Sequence, residues 1–157
     1  MFKINRKIEY ALIALRHIKN SNSHCVSAKD ICDVYKTPFD TTSRALQIMA
    51  QHGIVKAEHG AHGGYQLIKD LSKVTFFELA EMIVGPIQIA NCFNNNYSHC
   101  EFTSSCNVIA PMLNLNEKMS SLFKTISVVD LIESRHQDEA RIKEKYSQKS
   151  HTVSAAH

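Results

Sequence analysis

A chain of 157 residues with 44% hydrophobic side chains can bury a real core and is long enough for one compact domain with an appended element, which argues against a disordered polymer. Lys3, Arg6, Lys7 and Glu9 bring charge into the first turns, and no uncharged apolar run approaches the roughly 20 residues of a membrane span. The sequence therefore predicts no signal peptide and no membrane segment, and points to the cytoplasm. Net charge is +3, but residues 1–73 hold 11 Lys and Arg against 6 Asp and Glu, a basic half suited to an anionic partner or simply well solvated.

Ile4, Ile8, Ala11, Leu12, Leu15 and Ile18 recur at intervals of three and four, which predicts an amphipathic helix over residues 4–19. Residues 20–24 are polar and turn-like. Ser27 and Asp30 match a capping box, so a short helix over about 28–35 follows. Thr37, Pro38 and Asp40 repeat the start signal, with Thr37 as capping hydroxyl and Pro38 at the first helical position. That third helix should run to about His52, with Ala45, Leu46, Ile48 and Met49 as its apolar stripe and Gly53 as a left-handed cap. The short link between the second and third helices is the spacing of a helix-turn-helix.

Residues 54–58 and 65–68 read as two strands joined by the glycine-rich turn 59–64, a β-hairpin. A helix-turn-helix followed directly by a hairpin is a winged helix, so the fold class is mainly α with a small β-hairpin wing. Thr75 and Glu78 form another capping box, opening a helix to about Val84 that Gly85 and Pro86 end. Periodicity disappears over residues 91–107. Pro111 then suits the first turn of a helix bearing Met112, Leu115, Met119, Leu122, Phe123 and Ile126, long enough for dimerisation. Ser127 and Asp130 open a last short turn, and from Ser134 the chain is polar and expected to fray or to form a solvated helix. The predicted organisation is a winged helix-turn-helix domain over 1–85, a cysteine loop over 86–107, a dimerisation helix with its terminal turn over 108–133 and a polar tail over 134–157.

Five cysteines without a secretory signal leave metal or redox chemistry as the leading use for any cluster of them. Cys92, Cys100 and Cys106 fall close together in the aperiodic loop, and thiolates are the soft ligands that favour iron-sulfur clusters or zinc. Cys25 and Cys32 sit in an amphipathic context and read as small buried hydrophobes. No nucleophile elbow, phosphate-binding glycine loop or zinc-protease helix motif occurs, so the sequence does not read as an enzyme.

A recognition helix turns its amino-terminal residues toward base edges in the major groove, here Thr41, Thr42, Ser43, Arg44 and Gln47. Arg44 is the first choice for a base contact. The hydroxyls suit phosphate or base, and Lys29 and Lys36 suit the DNA backbone. The alternative for this stretch is a plain solvated helix face.

Glu9-Tyr10-Ala11-Leu12 in the first helix, the helix-turn-helix, the wing Gly60-Ala61-His62-Gly63-Gly64-Tyr65-Gln66-Leu67 and a three-cysteine loop ahead of a long helix occur in one order. Together they resemble the bacterial IscR and NsrR type of winged-helix regulator over about residues 2–133. The resemblance implies a homodimer that binds near-palindromic double-stranded promoter DNA and senses iron-sulfur status, nitric oxide or redox state through an iron-sulfur cluster, 2Fe-2S or 4Fe-4S. It assigns Cys92, Cys100 and Cys106 as ligands, although seven residues separate the first two here where the family has five. IscR-like proteins take a fourth ligand from a histidine three residues after the last cysteine, a position held by Ile109. NsrR-like proteins use a carboxylate on the first helix of the partner subunit, which matches Glu9, with His99 as a nearby rival. The family's wing tip reaches the minor groove, often with arginine; this chain offers His59 and His62, which are equally readable as exposed loop residues. The competing function is a cluster-free regulator of the same fold, acting as a thiol switch, a zinc-bound protein or a small-effector sensor.

Overall fold

The computed structural model describes residues 3–60, 63–88 and 105–133. Helix α1 (Arg6–Asn20) starts where the Asn5 side chain accepts a hydrogen bond from the Lys7 amide at 3.0 Å, and it buries Ile8, Ala11, Ala14, Leu15 and Ile18. Helix α2 (Ala28–Tyr35) opens on the expected capping box: the Asp30 amide donates to the Ser27 hydroxyl at 3.1 Å, and the Ser27 amide donates back to the Asp30 carboxylate at 3.1 Å. Two otherwise unpaired amides are thereby satisfied. Its far end is held to α1 by Tyr35, whose hydroxyl lies 3.3 Å from His17 Nδ1, with the two rings edge to face.

Helix α3 (Phe39–Gln51) packs Ala45, Leu46 and Met49 into the same core, and Gly53 follows with φ of +67°, the left-handed conformation expected of it. The start of α3 differs from the sequence reading. Pro38 is the capping residue rather than the first helical one, and no side chain caps the helix. Thr37 is instead turned inward, where its hydroxyl accepts from the fully buried Thr42 at 2.9 Å and donates toward Cys32 Sγ at 3.5 Å. A buried hydroxyl needs a partner, and this pairing prevails over an exposed cap.

Strands β1 (Val55–Glu58) and β2 (Gly64–Leu67) pair antiparallel, with Val55 opposite Leu67 and Glu58 opposite Gly64. The far edge of β2 takes a further bridge from Val26, through amide–carbonyl bonds of 3.1 and 2.8 Å with Tyr65. Gly64 permits that approach, because a Cβ there would lie 2.6 Å from the Val26 carbonyl oxygen. The wing is thus stitched to the segment leading into α2.

A 3-10 turn (Leu71–Lys73), not foreseen from the sequence, leads to α4 (Phe76–Val84), whose Thr75–Glu78 capping box forms as expected and whose end is capped by Gly85. Helix α5 (Ile109–Thr125) lies along α4, with the Phe76 and Phe123 rings edge to face at 5.1 Å, yet none of its residues is buried. Helix α6 (Val128–Ile132) returns to the amino-terminal core: Val128 and Ile132 are buried with the α1 residues, and amide bonds of 2.8 Å link Phe76 to Ile126 and Val128 to Val74. An ion pair between Lys19 and Glu133 closes the same junction. Each fully buried leucine of this core, such as Leu15, Leu46 or Leu79, contributes about 1.5–3 kcal/mol by leaving water. Among the described residues, no helix is long and apolar enough to cross a membrane.

Candidate nucleic-acid interface and cysteine loop

On α3 the residues expected to face DNA separate into two groups. Arg44 and Gln47 are exposed and, three apart, share one face of the helix, while Thr41 and Ser43 are half-buried beside them. Thr42 is 0% exposed and donates to Thr37, so it braces the turn ahead of α3 and leaves the DNA-facing set. Lys7, Asp40, Thr41 and Arg44 line a shallow groove of about 440 Å³ beside this face. Lys29 stands exposed in the first turn of α2, and Lys36 is exposed at the end of that helix in a left-handed conformation with φ of +54°. His59 is exposed at the tip side of β1; His62 lies outside the described residues.

Lys56 points from β1 and donates to Glu58 at 3.2 Å, and its hydrogen bond and charge hold the Glu58 carboxyl below the usual carboxylate range. Glu58 Oε2 also lies 3.8 Å from His24 Nε2, and one Glu58 carboxylate oxygen, one His24 ring nitrogen and the Cys25 sulfur all fall within 4.8 Å of one another. Cys25 is therefore not the buried hydrophobe expected from the sequence. It is half-buried, and burial first, then the neighbouring Glu58 charge, pushes its thiol above the usual range. Cys32 is likewise half-buried and receives the Thr37 hydroxyl. The linear sequence carries no signal for the His24–Glu58 neighbourhood, which arises from the Val26–Tyr65 bridge.

Of the loop cysteines, Cys106 is half-buried just ahead of α5, while Cys92, Cys100 and His99 lie outside the described residues. Glu9 is exposed in the first turn of α1, where the Tyr10 hydroxyl and then the Glu9 carboxylate favour the charged Arg6 guanidinium.

The pattern of the Rrf2 family, described as iron-dependent transcriptional regulators, matches residues 4–134. A protein of Aquifex aeolicus (strain VF5) named as an HTH-type transcriptional regulator is 26% identical over 132 residues, spanning 82% of this chain and 92% of that protein. Among solved structures, CymR, the global cysteine regulator of B. subtilis, superposes with a TM-score of 0.62 at 20% identity, covering 84% of this chain and 97% of CymR. T. potens IscR gives a TM-score of 0.62 at 16% identity, over 87% of this chain and 90% of IscR. At these identities the structural likeness establishes the winged-helix regulator fold.

Proposed function

The chain belongs to the Rrf2 family of transcriptional regulators, and on that premise we propose that it is a homodimeric promoter-binding regulator whose DNA affinity is modulated by an iron-sulfur cluster. The observation that carries the DNA part is the exposed Arg44–Gln47 face of α3, presented on a helix whose opposite side is locked into the core by Ala45, Leu46 and Met49. A guanidinium in a major groove pairs with the O6 and N7 acceptors of guanine, and a carboxamide with adenine. Thr41 and Ser43 supply hydroxyls, Lys29 and Lys36 meet phosphates, and His59 with His62 follows the wing along the backbone or minor groove.

Support for the dimer comes from α5. Leu115 and Leu122, seven apart and so on one face of α5, are 44% and 52% exposed, and no residue of this 17-residue helix is buried. A second copy laid against this face removes those side chains from water.

Three thiols of the Cys92, Cys100 and Cys106 set, with a carboxylate from the partner subunit's Glu9, match in chemical type the donors an iron-sulfur cluster requires. When bound, such a cluster supplies a redox-active inorganic core that oxidation or nitric oxide can dismantle. The cysteines and Glu9 then act as a tie between the loop of one chain and α1 of the other. Releasing those ligands loosens the tie and alters the spacing of the two α3 helices, which must match half-sites about 34 Å apart. A cluster-free thiol regulator is the second reading, favoured by Ile109 standing where IscR-like proteins carry histidine.

Fluorescence anisotropy with the chain's own upstream DNA tests the DNA-binding reading. Arg44→Ala is expected to weaken specific binding by about fivefold or more, in line with about 1–3 kcal/mol for a bidentate base contact. Unchanged affinity and specificity would remove Arg44 from the interface.

A further inference from the structure

Outside the DNA face and the cysteine loop, the most chemically loaded place on the molecule is the junction of the wing with the segment ahead of α2. We propose that His24, Cys25 and Glu58 form a zinc site that fastens the wing to the helix-turn-helix.

The backbone brings these residues together. Glu58 faces Gly64 across the hairpin, and Tyr65 pairs with Val26 on the other edge of β2. Side chains two apart along a strand share a face, so Cys25, Gln66, Gly64 and Glu58 lie on one side of this small sheet. Gly64 has no side chain to stand between Glu58 and the incoming segment, and the three donors cluster there.

The donor set is specific in its chemistry. A thiolate, an imidazole and a carboxylate suit zinc, whereas the thiolate argues against calcium and magnesium, which take oxygen. Tetrahedral zinc with bonds of about 2.0–2.3 Å places its ligand atoms about 3.3–3.8 Å apart. The His24 Nε2 and Glu58 Oε2 atoms already stand 3.8 Å apart, and all three donors lie within 4.8 Å. The remaining closure is about 1 Å, within reach of the well-exposed His24 ring.

Neighbouring groups suit the same arrangement. Glu58 divides its oxygens, Oε1 taking Lys56 at 3.2 Å while Oε2 faces His24. The Gln66 amide nitrogen lies 3.5 Å from His24 Nδ1; with the carboxamide turned over, its oxygen accepts a hydrogen bond from Nδ1–H and leaves Nε2 for the ion. On binding, the Cys25 proton leaves to solvent, and one thiolate with one carboxylate balances the divalent charge. The fourth position faces a cleft of about 910 Å³ that also holds Asp30 and His59, open to water or to one of those side chains. The site is independent of the cluster reading, because it uses none of the loop cysteines.

The test uses full-length, chelator-treated protein in which Cys92→Ser, Cys100→Ser and Cys106→Ser remove the loop thiols, titrated with Co2+ and then with Zn2+. One Co2+ per chain is expected, with a thiolate-to-cobalt charge-transfer band and tetrahedral visible bands that one equivalent of Zn2+ abolishes. Cys25→Ser should remove the charge-transfer band, and His24→Gln and Glu58→Gln should each weaken binding at least tenfold. A missing band, a band that survives Cys25→Ser, or affinity indifferent to both His24→Gln and Glu58→Gln overturns the site. Should the triple serine variant fail to fold, zinc is counted in the wild type and in Cys25→Ser. One zinc fewer per chain supports the proposal, and equal counts overturn it.

Discussion

Gly64→Ala probes the seam on which both the wing and the His24–Cys25–Glu58 cluster depend. An added Cβ would lie 2.6 Å from the Val26 carbonyl oxygen, 2.7 Å from its carbonyl carbon and 3.0 Å from the Ser27 amide nitrogen, all of them backbone atoms. No side chain can rotate away, so β2 and the segment at Val26 must part by several tenths of an ångström. Their two hydrogen bonds, now 3.1 and 2.8 Å, then lengthen toward the limit of useful geometry. Two weakened bonds at about 0.5–1.5 kcal/mol each give a loss of about 1–3 kcal/mol, the same range as overpacking elsewhere. For a chain of this size that corresponds to about 2–4 °C of melting temperature per kcal/mol. Urea unfolding gives the magnitude and amide exchange gives the place: the Tyr65 amide, which donates to Val26, should exchange faster. Gly53→Ala is the control, since nothing lies within 4 Å of its Cβ position and its cost, about 1–2 kcal/mol, comes from the left-handed backbone alone. Stability within about 0.5 kcal/mol of wild type, with Tyr65 exchange unchanged, would refute the reasoning.

Thr42→Val removes the buried donor to Thr37. It should destabilise the fold by about 1–2 kcal/mol while the folded fraction keeps its DNA affinity, and a selective loss of DNA binding at unchanged stability would return Thr42 to the interface. Leu115→Glu with Leu122→Glu places two charges on the exposed face of α5 and should convert dimer to monomer in sedimentation without loss of helical circular dichroism; a dimer that persists counts against α5. The amide of Thr75 and then its hydroxyl hold Glu78 below the usual carboxylate range. A depressed folded-state value means that this stabilisation is present above the ordinary glutamate pKa and is lost as pH falls through the folded value. Glu78→Gln should therefore flatten the acid limb of the stability–pH curve, and an unaltered limb would show that the capping carboxylate does not contribute.

Features governed by neighbouring residues are legible in the sequence. The Ser27–Asp30 and Thr75–Glu78 capping boxes, the Gly53 cap and the hairpin all depend on interactions within a few residues, and they form where the sequence places them. Thr37 was misleading because its pattern fits a cap, while its preference is decided by Thr42 one turn further on. Periodicity did hold a warning about Thr42: together with Ala45, Leu46 and Met49 it follows the three-and-four spacing of a buried stripe. The return of α6 to the α1 core and the cluster at Glu58 were not legible. Both are produced by isolated bridges, Thr75 with Ser127 and Val26 with Tyr65, between segments remote in sequence.

The central claim is that cluster occupancy sets promoter affinity, and the direct measurement pairs the two in one preparation. Protein purified without oxygen is assayed for iron, acid-labile sulfide and visible absorbance, and its affinity for the chain's own upstream DNA is measured before and after the cluster is removed. The account predicts iron and sulfide in equal amounts, loss of both on combined serine substitution of Cys92, Cys100 and Cys106, and a change in DNA affinity of about fivefold or more on removal. Protein that binds the DNA with the same affinity whether or not it carries iron and sulfide, or that never carries them, would contradict it.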